Sequence, residues 1–179
     1  MGFPHKNRLS LREEKVKSRL LDVVRMNTED RPILLIEDAE DDVFLMKTAF
    51  RKVGISNPVQ VAHDGEEAME YLSGEGTFRD RARHPLPCLV LLDLKMPRKG
   101  GFEVLAWLKR MPDLRGVVVV VLTSSENTDD VEEAYRLRAN SFLVKPFAFE
   151  NTLTMAELIQ RCWLMHARLP RVRERPSRA

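Results

Sequence analysis

The chain is short of the residues that build thiolate, disulfide or membrane proteins. Its 179 residues include two cysteines, Cys88 and Cys162, without the paired spacing of a zinc or redox motif, so both are expected to be reduced packing residues. The four histidines, His5, His63, His84 and His166, are scattered, and no two stand at helical ligand spacing, which argues against a zinc centre. The longest wholly apolar run, 117–122, has the length of a strand. A bilayer needs roughly twenty such residues, so no membrane span is expected. The amino terminus lacks the apolar core of a secretory signal, and Lys6 stands where a myristoylation signal wants Ser or Thr. A cytoplasmic protein is the expectation. Nor is there a large excess of one charge, the net value being +2. The balance is uneven along the chain, however: residues 1–31 carry +3 and residues 168–179 carry +4, so the stretch between them carries −5. An acidic body suits a cation site, whereas short basic ends are ordinarily solvated and only sometimes meet nucleic acid or acidic lipid.

With 44% apolar residues the chain can bury one substantial core, and no shift in composition calls for a second domain. The expected organisation is an extension over 1–31 with an amphipathic helical stripe (Leu9, Val16, Leu20, Val23, Val24), one domain over 32–167, and a basic tail over 168–179. The extension could serve as a docking helix, unless the true start of translation is Met26. Strand-like runs at 33–36, 59–61, 89–92, 117–122 and 142–144 alternate with helical patterns near 41–52, 66–73, 101–110, 128–137 and 149–165. Such alternation predicts right-handed βαβ units and a parallel sheet, an α/β doubly wound fold. On the first helix Val43, Met46, Phe50 and Val53 form one stripe and Gly54 stops it. The long connection 73–87 enters the third strand at its amino end, away from the edge where such folds keep their chemistry. The last helix is more apolar than one sheet face requires, through Leu158, Ile159, Cys162, Trp163 and Met165.

The chemistry sits at strand ends. The first strand runs into Glu37-Asp38, the third into Asp93, the fourth into Thr123 and the fifth into Lys145. With strand order 2-1-3-4-5, the first and third strands are neighbours at the topological switch point, which puts Asp38 beside Asp93. Three carboxylates in one crevice repel one another unless positive charge joins them, and Lys145 supplies one unit. The remaining deficit fits a hard divalent ion held by oxygens. Mg2+ is the natural candidate, since it takes one or two carboxylates, keeps waters and accepts phosphate oxygens. A hydroxyl and an ammonium beside such a metal suit a phosphoryl group, which needs positioning and charge neutralisation, and the metal-held aspartate is then the acceptor. Any one of these residues alone would read as a turn former or helix cap. Four at four strand ends do not.

In order and spacing, Ile36-Glu37-Asp38, Leu91-Leu92-Asp93-Leu94-Lys95-Met96-Pro97, Leu122-Thr123-Ser124 and Val144-Lys145-Pro146-Phe147 resemble the response-regulator receiver domain, the CheY-like phosphoacceptor of two-component signalling, over about residues 32–165. The resemblance implies a (βα)5 flavodoxin-like sandwich in which Asp93 is the phosphoacceptor. Glu37, Asp38, Asp93 and the backbone carbonyl of Lys95 would hold Mg2+. Thr123 would be the switch hydroxyl, Lys145 the phosphoryl-pairing amine and Phe142 the switch aromatic. Pro146 would follow a cis peptide, and the side chains of Lys95 and Ser125 would tune hydrolysis of the phosphoaspartate. One departure is Arg138, where the family often has Gly, so that the turn either avoids a positive φ or carries strain.

The implied partner is a sensor histidine kinase. The 73–87 insertion and the stretches Asp38-Ala-Glu-Asp-Asp42 and Ala139-Asn-Ser-Phe142 look like the single-domain regulators of bacterial and cyanobacterial phytochrome kinases, which makes a bacteriophytochrome the expected type. A homodimer through the fourth helix, fifth strand and fifth helix (α4-β5-α5) is the family's common arrangement. The 34 residues after Lys145 are too few for a helix-turn-helix module, so no DNA-binding domain is expected and output would pass through protein contacts. An enzyme reading, a haloacid-dehalogenase-type phosphatase, also uses an aspartate nucleophile, but it wants a second Asp where Lys95 stands and an acid pair late in the chain. A pseudo-receiver that binds without phosphorylation would not need the complete set of acid, hydroxyl and amine.

Overall fold

Side-chain direction alternates along every strand and so divides the core into two halves on either side of one parallel sheet. The structure, a computed structural model, describes residues 31–165. Strands β1 (Ile33–Ile36), β2 (Val59–Ala62), β3 (Leu89–Leu92), β4 (Val119–Thr123) and β5 (Ser141–Val144) lie in the order β2-β1-β3-β4-β5, all parallel, as expected. Helices α1 (Glu40–Lys52), α2 (Gly65–Ser73), α3 (Gly101–Arg110), α4 (Thr128–Arg136) and α5 (Phe149–Ile159) connect them. Side chains at successive strand positions point to opposite faces. Ile33, Leu35, Leu89, Leu91, Val120 and Leu122 therefore pack against Met46, Phe50 and Ile159 from α1 and α5. Leu34, Ile36, Val90, Leu92, Val119 and Val121 pack against Tyr71, Leu72, Val104 and Ala134 from α2, α3 and α4. β1 and β3 are fully buried on both faces, which is why they read as continuous apolar runs.

The helices begin and end for local reasons. Three acids open α1 and two bases close it, in the sense that complements the helix dipole. Gly54 then takes a left-handed φ of 80° while the amide of Ile55 donates to the carbonyl of Phe50 (2.9 Å), a Schellman-type stop. α4 ends in the same way without a glycine. Arg138 has φ 74°, and the Ala139 amide donates to the Ala134 carbonyl (3.0 Å). Of the two alternatives for that turn, the structure takes the strained one, at a cost of about 1 kcal/mol for a side-chain-bearing residue.

Four expectations are corrected. The peptide before Pro146 is trans, and no cis peptide occurs among the described residues. The amide of Lys145 continues the sheet ladder to the Thr123 carbonyl (2.8 Å), and residues 146–148 reach the start of α5 through the trans form that X-Pro bonds favour by about 0.5–1 kcal/mol. The apolar run 117–122 does not pair as one strand, because the Val117 amide closes a 3-10 turn onto Leu114 (3.0 Å) and pairing starts at Val119, whereas Thr123 joins by pairing with Val144. The last helix is not α-helical to residue 165 but turns π-helical over Gln160–Met165. Buried Ile159 and Leu164 are five residues apart, and a five-residue repeat keeps both on the core. Cys162 is consequently exposed, whereas Cys88 is buried, its thiol pushed up to about 11 by burial. The amphipathic segment 1–30 and the basic tail lie outside the described residues.

Candidate functional site

Glu37, Asp93, Thr123 and Lys145 each stand at or one residue past the carboxyl end of a strand, so the pairing register alone brings them to one edge. Ile36 pairs with Leu92, which sets Glu37 beside Asp93, and Thr123 pairs with Val144, which sets it beside the start of the Lys145 loop. Glu37 and Asp93 are buried, Asp38 is exposed at the rim, and carboxylate oxygens of all three lie within 4.8 Å of one another.

Lys145 is the centre of the arrangement. Its Nζ donates to Glu37 Oε2 (2.5 Å), Asp42 Oδ2 (2.7 Å) and Asp93 Oδ2 (2.7 Å). Burial works against the ammonium, but its hydrogen bonds to three carboxylates outweigh it and hold the lysine above its ordinary range. Glu37 shows the converse. Burial, assisted by the charge on Asp93, pushes its carboxyl up, and Lys145 only partly offsets this. Counting Asp38 and Asp42, four acids face one lysine, so the crevice is short of positive charge. Its oxygen-only donor set, spaced within one ion's reach, fits a hard divalent cation.

Asp42 is the residue that sequence reasoning missed. It lies in the first turn of α1, four residues past Asp38, and was indistinguishable in the sequence from the other acids opening that helix. Asp38 precedes the extended N-cap Ala39, so helical periodicity does not single out Asp42 as its neighbour.

The remaining expected residues are placed as follows. Asp93 Oδ1 accepts from the Lys95 amide (3.1 Å), while the Lys95 side chain is exposed. Thr123 is fully buried, and its Oγ1 accepts from the Ser125 amide (3.4 Å). Ser125 is buried too, and its hydroxyl donates to Asp130 in the first turn of α4, tying the loop after Thr123 to that helix. Phe142 pairs in register with Val121, two residues before Thr123, and is half-buried against the α2-α3-α4 half of the core. The hydroxyl and the aromatic ring therefore belong to the same face of the sheet. Pro146 is partly buried beyond Lys145.

Comparison with known proteins agrees with this geometry. Residues 33–157 match the response regulator receiver domain. The response regulator Rcp1 of Synechocystis sp. is 38% identical over 148 residues, covering 81% of this chain and 99% of that one. A crystal structure of its Mn2+-bound form superposes with a TM-score of 0.72 at 38% identity, over 79% of this chain and 99% of that one. The phosphorylated cyanobacterial phytochrome response regulator RcpA matches with a TM-score of 0.74 at 36% identity, and the bacteriophytochrome response regulator AtBRR with 0.64 at 42%, each over 79% of this chain and 99% of the other.

Proposed function

The chain belongs to the response-regulator receiver family, and from that premise we propose that it is a stand-alone phosphorelay element whose acceptor is Asp93. The observation that carries this reading is the convergence of a buried aspartate, two further metal-competent acids and a lysine whose ammonium already touches the acceptor carboxylate (2.7 Å). Glu37, Asp38, Asp93 and the Lys95 carbonyl would hold Mg2+. Bound there, the ion would neutralise the acids and the incoming phosphoryl oxygens. A carboxylate oxygen of Asp93 forms the new P–O bond as the P–N bond to a phosphohistidine of the sensor kinase breaks, and the departing imidazole takes up a proton. Lys145 then exchanges a carboxylate partner for a phosphoryl oxygen. Thr123 turns to the same group, Phe142 follows on its face of the sheet, and Lys95 and Ser125 set how readily water reaches the phosphoaspartate. A population shift to the active form needs about 3–5 kcal/mol of differential interaction, within reach of a few charge-assisted hydrogen bonds to a dianion.

Likeness to RcpA and AtBRR supports a phytochrome-type histidine kinase as the donor, in a cytoplasmic setting. Among the described residues no helix is long and apolar enough to cross a membrane. Output runs through protein contacts. Tyr135, Val144 and Phe147, exposed by 51%, 41% and 101%, offer apolar surface for a homodimer through α4, β5 and α5. The domain is assigned to 32–167, with 1–31 and 168–179 as appendages.

The test is intact mass after incubation with acetyl phosphate and Mg2+. Wild type is expected to gain one adduct of about 80 Da, the mass of one phosphoryl unit, and Asp93→Asn none. Catalytic turnover of phosphomonoesters without a stable adduct would overturn the acceptor reading in favour of a phosphatase.

A further inference from the structure

The geometry points to Arg98 and Asp64 as a clamp that positions the loop between β3 and α3, and through it the Lys95 carbonyl. This inference rests on the metal site proposed above. Neither residue reaches that site, and both act on its loop.

At its near end the loop is pinned by the Lys95 amide on Asp93 Oδ1 (3.1 Å) and by the Gly101 amide on the Leu94 carbonyl (3.1 Å). Its far end is held by the start of α2. The Gly65 amide donates to the Lys99 carbonyl (3.0 Å), Lys99 Nζ meets Glu66 Oε1 (3.2 Å), and the Arg98 guanidinium pairs with Asp64 Oδ2. Asp64 is buried, and its other oxygen caps α2 by accepting from the amides of Glu66 (2.7 Å) and Glu67 (2.9 Å). One carboxylate thus joins the helix start to the loop.

Two costs mark this join as over-determined. Arg98 has φ 63°, a left-handed conformation that a side-chain-bearing residue holds only when its surroundings impose it. Gly65 sits so close that an added Cβ would stand 2.5 Å from the Lys99 carbonyl oxygen. The ion pair is what offsets the strain at Arg98. Three residues before it, Lys95 lies between the pinned aspartate and the clamp, so its carbonyl is aimed from both sides. Arg98 is therefore a positioning residue.

The experiment is calorimetric Mg2+ titration of the full chain, with thermal melting in EDTA alongside. The variants are Arg98→Gly, which removes the pair and the strain together, Asp64→Asn, which keeps a competent cap, the double variant, Arg98→Lys, and Asp38→Asn as metal-site control. Arg98→Gly and Asp64→Asn are each expected to weaken Mg2+ binding about tenfold, as loss of a residue supporting a metal ligand does. The double variant should be no weaker than the weaker single one, because both remove one interaction. Arg98→Lys should recover part of the affinity, and the Arg98→Gly melting temperature in EDTA should stay near wild type. Wild-type affinity in both single variants, or additive losses in the double, overturns the clamp while leaving the metal site standing. A wild-type chain that binds no Mg2+, like Asp38→Asn, removes the metal site and the clamp's role together. Should Asp64→Asn not fold, the Arg98→Gly and Arg98→Lys pair decides the matter alone.

Discussion

The two ends of the sheet bury the same kinds of groups and use them in opposite ways. At the amino end, cations meet backbone carbonyls of the last turn of α2 and of the irregular segment between α2 and β3. Arg31 donates to the carbonyls of Leu86 (3.2 Å) and Pro87 (2.5 Å), and Arg81 to those of Tyr71 (2.7 Å), Leu72 (2.8 Å) and His84 (3.1 Å). The Tyr71 hydroxyl donates to the Pro85 carbonyl (2.9 Å), and the Tyr71, Phe78 and His84 rings pack with centroids 5.1–6.1 Å apart. His84 Nδ1 is the buried side-chain atom left without a hydrogen bond there. At the carboxyl end a single cation, Lys145, answers Glu37, Asp42 and Asp93, with Asp38 beside them. The amino end pairs its groups internally but for that one nitrogen, whereas the carboxyl end is held short of positive charge. That shortage lets an ion and a phosphoryl group change the state of the molecule.

The sharpest way to break this contrast is to remove the central cation from each end. Lys145→Met leaves three carboxylates facing one another and should cost about 3 kcal/mol in EDTA, much of it recovered by millimolar Mg2+. Arg81→Met removes the donor to the Tyr71, Leu72 and His84 carbonyls and should cost about 2 kcal/mol, with no recovery. Urea unfolding with and without Mg2+ reads both, and equal response to the ion would erase the distinction. A smaller effect is expected with pH. Because burial raises the folded-state pKa of Glu37 above its unfolded value, the native chain holds more protons between the two. Glu37 therefore favours the fold below that window, and its contribution is lost as pH rises through it. Glu37→Gln should flatten this decline in metal-free unfolding curves; an unchanged slope would mean that the carboxyl is not under burial stress. Smallest is Arg138→Gly, expected to add about 0.5–1 kcal/mol by relieving its left-handed φ. No such gain is expected at Arg98, where glycine also removes the ion pair to Asp64.

What could be read in advance followed from patterns with a short physical range. Fully buried β1 and β3 show as unbroken apolar runs ending in acids, and the α1 stripe with Gly54 behind it shows as a helix with a stop. The alternation of elements implies a parallel sheet, and the order β2-β1-β3-β4-β5 that the resemblance implies agrees with the need of Asp38 and Asp93 for one shared crevice. Interactions between distant segments had no such signal. Asp42 was one acid among several at a helix start until Lys145 was seen to reach it across 103 positions. Arg98 and Asp64 are 34 positions apart, and nothing local in the sequence marks them as a pair. The π-helical turn after Ile159 depends on which two residues the core accepts, and the trans peptide at Pro146 on the path from Lys145 to α5.

The sequence by itself determined the elements, the sheet they form and the chemical identity of the groups at its edge, because hydrophobic periodicity and the residue that follows each strand are local properties. Only the tertiary structure decided which carboxylates share Lys145, which arginine braces the loop after Asp93 and which turns carry strain. These depend on distances between segments far apart in the chain, set by packing on two faces of a sheet, and a linear pattern does not carry them.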